Sequence, residues 1–159
     1  VDNAVVERFM PNKIRITIEE SDSIAYVNIK GEVWSLDHSM RYLEKIADTD
    51  TAGKIQIKGI EAADPIIGTK VNSEHTENVS DVLDIMTTYG LLPYVTWLAV
   101  STAETAEFDY LDRFTVKIPI NADMEYNFEK LLAAVNQLSP GDRALLDLTI
   151  DDNVHFSPR

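Results

Sequence analysis

The sequence contains no cysteine, which excludes disulfide bonds, thiolate zinc sites and a cysteine nucleophile. Basic residues are few, because 14 lysines and arginines stand against 27 aspartates and glutamates, giving a formal net charge of −13. This charge repels phosphate groups, so we expect neither nucleic acid nor an anionic membrane surface as a partner. Long apolar runs are also lacking, and no signal segment precedes Val1. We therefore expect the chain as it stands to be soluble, with any export signal lying upstream.

Motifs that hold metals, phosphates or catalytic nucleophiles are missing as well. His38, His75 and His155 are too far apart to form the paired ligands of a metal-binding helix. The stretch DTDTAG from Asp48 begins like a calcium loop, but Gly59 occupies the position that requires a bidentate glutamate. We expect no cofactor and no enzymatic activity. Two alternatives stay open: a wall-glycan hydrolase that uses paired carboxylates, and a small-ligand module, which would need a deep apolar pocket.

Alternating apolar and polar residues predict a series of short strands. In KIRITIE, residues 13–19, Ile14, Ile16 and Ile18 fall on one face of a half-buried strand. Val5 to Met10 is its predicted hairpin partner across a turn at Pro11-Asn12. The same reasoning predicts strands within 24–36, around a Lys30-Gly31 turn, and within 52–60, 94–101, 107–118 and 146–156.

Apolar positions repeat with helical spacing in three segments, 37–48, 80–89 and 124–138. Ser80 is the predicted cap of the second segment, and Gly90 ends it. The apolar stripes of the three segments are Met40, Leu43, Ile46 and Ala47; Val79, Val82, Leu83 and Met86; and Phe128, Leu131, Leu132 and Val135. With 159 residues and 45% hydrophobic content, the chain can build one main core. We expect an α+β fold in which two or three helices pack on one face of a largely antiparallel or mixed sheet.

The run ERFMPNKIRITIEESDSIAYVNIKGEVW, residues 7–34, resembles the junction between the POTRA and β domains in the FtsQ/DivIB family of bacterial cell-division proteins. The matching positions are Glu7, Arg8, Pro11, Ile14, Ile16, Ile18, Glu19, Ala25 and Gly31. Later segments are similar to that family in the same order: IQIKGIEAADPIIGTKV, VSDVLDIMTTYGLLPYVTWLAVS, FTVKIPI, NFEKLLAAVNQL and RALLDLTIDDNVHFSP. Pro119 and residues 37–54 depart from the family pattern.

The resemblance implies two parts, the C-terminal strands of a truncated POTRA domain at 1–25 and a β domain at 26–159. It also implies a single-pass protein of the cell membrane, with one transmembrane helix upstream and an extracytoplasmic domain at the division septum. Such a protein is a non-enzymatic scaffold. It binds FtsB, called DivIC in Gram-positive lineages, together with FtsL, and it helps regulate septal peptidoglycan synthesis.

In that family the partner adds a strand beside the C-terminal strands, and the resemblance carries this site to Thr149, Ile150, Val154, His155 and Phe156. Strand alternation predicts that Leu146, Leu148 and Ile150 face the core, whereas Thr149 and His155 face outward. Phe156 is either an aromatic anchor for the partner or, by strand parity, part of the core beside Val154.

Two further expectations concern this predicted edge. Asp147, Asp151 and Asp152 would select a basic segment of the partner or discourage edge-to-edge aggregation. The substitution His155→Pro should remove a main-chain donor from the ladder with the partner, and so abolish binding while leaving the fold largely intact.

Overall fold

A computed structural model of the chain describes residues 3–19, 21–120 and 123–159. In these ranges the chain forms an α+β fold with two α-helices and eleven strands. The strands are β1 (Asn3–Phe9), β2 (Lys13–Glu19), β3 (Ala25–Ile29), β4 (Glu32–Leu36), β5 (Tyr42–Ile46), β6 (Ile55–Lys58), β7 (Trp97–Thr102), β8 (Thr105–Tyr110), β9 (Phe114–Pro119), β10 (Ala144–Asp147) and β11 (His155–Pro158). The helices are α1 (Thr76–Thr88) and α2 (Met124–Val135), and short 3₁₀ turns lie at Asp48–Thr51 and Leu92–Tyr94.

Nine of the strands form one mixed sheet in the order β11-β10-β9-β8-β7-β6-β3-β4-β5. The pairs β9/β10, β3/β6 and β6/β7 are parallel, and the other five pairs are antiparallel. Parallel neighbours require a crossover connection, and α1 and α2 lie in two of these connections. The predicted largely antiparallel or mixed sheet is confirmed.

Both helices pack on the same face of this sheet. The ring of Tyr89, at the end of α1, stacks on Phe128 of α2 with centroids 6.4 Å apart, and Phe128 stacks on Phe108 of β8 at 5.8 Å. The apolar stripes predicted for these two helices supply most of their buried side chains, namely Val79, Val82, Leu83, Met86, Phe128 and Leu131. The amphipathic pattern therefore identified the helix faces that build the core.

The predicted C-terminal end of α1 is confirmed, and its predicted N-terminal cap is wrong. Gly90 ends the helix as expected: its φ is +66°, its N–H bonds to the Thr87 carbonyl at 3.1 Å, and the Leu91 N–H bonds to the Met86 carbonyl at 2.8 Å. This is the Schellman arrangement, which favours glycine. Ser80 is not the cap, because the helix begins at Thr76 and the Ser80 hydroxyl donates to the His38 carbonyl at 3.0 Å.

The helix predicted at 37–48 is wrong, since this segment forms a tight turn followed by β5. The buried Asp37 carboxylate accepts the Arg41 N–H at 2.8 Å, and Met40 has a φ of +60°, which a right-handed helix cannot contain. Beyond the turn, β5 pairs antiparallel with β4 across an irregularity at Leu36. Tertiary pairing thus outweighed a helical spacing of apolar residues in a short segment.

The opening hairpin forms a separate two-stranded sheet, β1 with β2, in the register Val6 opposite Ile16. The side chains of Ile18 and Glu19 lie outside the described part. Ile14 and Ile16 share one face as predicted, but they are 68% and 61% exposed rather than half-buried. The β3–β4 hairpin turns at Lys30 and Gly31, as predicted, and both have positive φ, which is typical of a type I′ turn.

Candidate partner-binding edge

Strand β11 is the outermost strand at one end of the nine-stranded sheet, with β10 as its neighbour. The two pair antiparallel, with Leu146 opposite Phe156 and Asp147 opposite His155. The Arg159 N–H donates to the Arg143 carbonyl at 3.0 Å. Since the main-chain groups of successive residues point to opposite sides of a strand, residues 155 and 157 also bond toward β10. Residues 156 and 158 then direct their main-chain groups away from the sheet.

This outward row is chemically simple. Phe156 presents both an N–H and a C=O, whereas Pro158 presents only a C=O because proline has no N–H. Among the residues that the structure describes, no main-chain or side-chain hydrogen bond outside the β10–β11 ladder reaches residues 156 or 158. An unpaired row of this kind is what another strand extends when it joins a sheet.

The opposite end of the sheet, strand β5, is partly covered by the protein's own chain. The Tyr42 N–H donates to the Thr69 carbonyl at 3.0 Å, and the Gly68 N–H donates to the Tyr42 carbonyl at 2.7 Å. A bridge between Arg41 and Lys70 continues this contact. The two edges therefore differ, because the described chain occupies outward groups at β5 and leaves those of β11 unoccupied.

Two aspartates shape the connection that returns the chain from β10 to β11. One carboxylate oxygen of Asp147 accepts the N–H and the hydroxyl of Thr149, at 2.8 and 2.6 Å. Asp151 accepts the Asn153 N–H at 2.7 Å and lies 3.0 Å from the His155 ring nitrogen Nε2. The Asn153 N–H, and after it the His155 ring, lower the pKa of the Asp151 carboxyl. Hydrogen bonds from an aspartate to the chain two residues on are typical of tight turns.

The structure places the five predicted binding residues on two neighbouring segments. Thr149 and Ile150 lie in the connection, and Val154, His155 and Phe156 lie at or beside the start of β11. Leu146 and Leu148 are buried as predicted, but Ile150 is 64% exposed. The prediction that Ile150 faces the core is wrong, because β10 ends at Asp147 and the strand alternation does not continue beyond it.

Phe156 and His155 also differ from the sequence-based expectation. Phe156 lies opposite Leu146 but is 43% exposed, so its ring is only partly covered by the core. Val154, by contrast, is half-buried and packs against the core. The His155 N–H points toward Asp147 of the protein's own sheet, so the expectation that His155→Pro removes a donor from a partner's ladder is corrected. That substitution would break a main-chain hydrogen bond between β10 and β11.

Sequence reasoning missed the direction of the main-chain groups, which singles out Phe156 as the outward donor of β11. A signal for it exists at Pro158. Proline in a strand is confined to edges and to positions where the missing N–H would face solvent. Its presence two residues after Phe156 places both residues in the outward row.

A cavity of about 420 Å³ lies beside this edge, between α2 and the β10–β11 connection. Asp151, Asp152 and Lys130 are among its lining residues, and the Lys130 ammonium donates to the Asp152 carbonyl at 3.2 Å. A glycan hydrolase needs a carboxyl whose raised pKa keeps it protonated as the general acid. The pKa of Asp151 is lowered instead, so Asp151 does not fit the role of that general acid.

In the described ranges, no group of three or more histidine, aspartate and glutamate side chains is arranged to hold a metal ion. None of the helices there is long and apolar enough to cross a membrane. No protein-family model matches the chain, and no curated protein matches it.

Proposed function

We propose that this chain is a non-enzymatic protein-binding domain that recruits its partner by strand addition to β11. The observation that carries the proposal is the outward main-chain row of β11, at an edge which the described residues leave uncovered. Main-chain hydrogen bonds to such a row provide affinity, and exposed side chains beside it provide specificity.

Three exposed or partly exposed side chains surround the row. The Phe156 ring and the Ile150 side chain offer apolar surface to a partner, and the exposed Thr149 donates its hydroxyl to the Asp147 carboxylate at 2.6 Å. Aromatic residues near the centre of an interface commonly contribute a large share of its binding energy. Phe156 combines such a ring with the outward N–H of the strand, so we assign it the central role.

The sequence resemblance specifies this function further. We propose that the chain belongs to a FtsQ/DivIB-type division protein and comprises the end of a POTRA domain (1–25) and a β domain (26–159). Its partners would be FtsB or DivIC, bound at β11, and FtsL. The full protein would be anchored by one upstream transmembrane helix, act outside the cytoplasm at the division septum, and help regulate septal peptidoglycan synthesis.

The test measures binding of a DivIC or FtsB extracytoplasmic domain to two variants at the same position, Phe156→Ala and Phe156→Pro. Phe156→Ala removes the ring and keeps the N–H, and we expect about tenfold weaker binding, the loss typical of an interface aromatic. Phe156→Pro removes the N–H as well, and we expect at least about tenfold further loss because the added strand loses a ladder bond. Isothermal titration calorimetry gives both affinities.

Phe156→Pro leaves the protein's own sheet bonds in place, since the N–H of residue 156 points away from β10. Circular dichroism and thermal unfolding of both variants check that the fold persists. Equal affinities of the alanine and proline variants would contradict strand addition at β11, because the outward N–H would then contribute nothing. Absence of binding by the unsubstituted chain would contradict the assigned partner.

A further inference from the structure

Three arginines stand side by side at one end of the binding edge. Ala144 pairs with Phe114 on one side and with Pro158 on the other, so the preceding residue, Arg143, lies between Arg113 and Arg159. These three residues, which we call the arginine row, lie next to one another: Arg113 and Arg143 directly precede β9 and β10, and Arg159 directly follows β11. Their side chains line one cavity of about 300 Å³ together with Asp109, Asp112 and Thr115.

The hydrogen-bond partners of the arginine row are neutral. Arg113 donates to the carbonyls of Asp142 and Ser139, at 3.1 and 2.5 Å. Arg143 donates to the Asp112 carbonyl at 3.1 Å, and Arg159 donates to the Thr115 hydroxyl at 2.7 Å. None of the ion pairs found in the described part of the chain includes one of these arginines.

Two carboxylates also line the cavity, but neither neutralises the row. Asp109 is buried, its Oδ1 accepts the N–H groups of Thr96 and Trp97, at 2.7 and 2.9 Å, and it forms none of the ion pairs found in the described part of the chain. Asp112 is exposed, and its contact with the row is through its carbonyl. Like charges directly opposite each other on neighbouring strands destabilise a sheet. Three arginines at neighbouring positions, in a chain of net charge −13, therefore favour an anion from outside.

We propose that the arginine row binds an acidic side chain of the strand that adds to β11. The inference rests on the proposed function and specifies the chemistry of the partner. In a strand added beside β11, the residue opposite Arg159 would lie next in line after Arg113, Arg143 and Arg159. The planar fork of a guanidinium matches a carboxylate in a two-bond contact, and Arg143 and Arg159 each use one described hydrogen bond, so further N–H donors stay available.

The other end of β11 has the opposite charge, so the binding edge is positive at one end and negative at the other. Asp147, Asp151 and Asp152 lie there; the nearby Lys117 pairs with Glu107, and Lys130 pairs with Asp152. The four residues of β11 span about 13 Å at roughly 3.3 Å per residue. This exceeds the screening length of about 8 Å at physiological salt, so each end is recognised separately. An acidic residue of the partner strand is attracted at Arg159 and repelled beside Asp147.

The experiment uses two synthetic peptides of alternating threonine and valine that carry the same charged residues in opposite order. One has two glutamates at its N-terminal end and two lysines at its C-terminal end, and the other has the ends exchanged. Fluorescence anisotropy measures binding to the full chain, to Arg143→Gln/Arg159→Gln, to Phe156→Pro and to Arg41→Gln. Arg41 lies beside β5 at the opposite edge, so its substitution is the control for a general change in charge. Arg113 is left unchanged because it holds the 139–142 loop.

We expect the full chain to bind one peptide at least about tenfold more tightly than the other. The Arg143→Gln/Arg159→Gln variant should bind the preferred peptide more weakly and keep only the smaller preference that the acidic end of β11 supplies, while Arg41→Gln keeps the full preference. Equal binding of both peptides, with Phe156→Pro weakening both, would overturn the arginine row and leave strand addition standing. Affinities that Phe156→Pro leaves unchanged, with the charge preference intact, would contradict strand addition and with it the proposal that the row binds a residue of an added strand. No measurable binding of either peptide would contradict both.

Discussion

The contrast between Leu146 and Ile150 is the sharpest test of the closing segment, because strand alternation predicts the same environment for both. Leu146 is 1% exposed, lies in β10, and is flanked by Val116 of β9 and Phe156 of β11. Ile150 is 64% exposed and follows the end of the strand. Truncation of each to alanine should therefore have very different effects on stability.

The expected magnitudes follow from burial. Leu146→Ala removes the equivalent of about three methylene groups from the core, at about 0.8 kcal/mol each, or about 2.4 kcal/mol of transfer free energy. A residual cavity adds to this, but the partly exposed Phe156 beside it can relax, so we expect a total near the low end of the measured range, about 3 kcal/mol. Ile150→Ala removes groups that already contact water, and we expect at most about 0.5 kcal/mol.

Urea denaturation, followed by far-ultraviolet circular dichroism, gives both values. The free energy of unfolding should fall for Leu146→Ala with an unchanged slope, and Ile150→Ala should superimpose on the unsubstituted chain. Ile150→Ala should nevertheless weaken partner binding, since its side chain lies on the proposed surface. A loss of stability at Ile150 that approaches the loss at Leu146 would refute the placement of the connection, and with it the exposed position of Ile150.

Two further predictions concern a helix end and a titrating turn. Gly90→Ala should cost about 1 kcal/mol of stability, measured by urea denaturation, because residue 90 has a φ of +66°. Crowding does not contribute, since nothing lies within 4 Å of an added Cβ. Gly141→Ala, which is equally uncrowded and has no positive φ, is the control and should cost less. The Asp151 carboxyl should titrate below its usual 3.8 in a side-chain carbon NMR titration. Since the pKa of Asp151 is lowered in the folded state, the stabilisation of the turn is complete above the ordinary carboxyl pKa and is lost as the pH falls through the lowered value. A titration midpoint of Asp151 at or above 3.8 would contradict its contacts with Asn153 and His155.

Much of the fold could be predicted from the sequence, because long amphipathic stripes and turn residues are local signals. The helices around Val82 and Phe128, the turn at Lys30-Gly31 and the end of α1 at Gly90 all depend on such signals. Segment 37–48 could not be predicted in this way. Its apolar residues have helical spacing, yet Met40 has a left-handed φ and Tyr42 is held by β4 and by the chain near Thr69.

The candidate site was predictable only in outline. The sequence alone indicated the α+β class, the strand character of the closing segment and, by resemblance to a family, the residues around His155 as a binding edge. The tertiary structure decided which strand ends the sheet and which of its main-chain groups face outward. It also decided that Arg113, Arg143 and Arg159 are neighbours. The physical reason is that strand order and register join residues far apart in the chain, and a shift of one residue in pairing reverses the direction of every main-chain group.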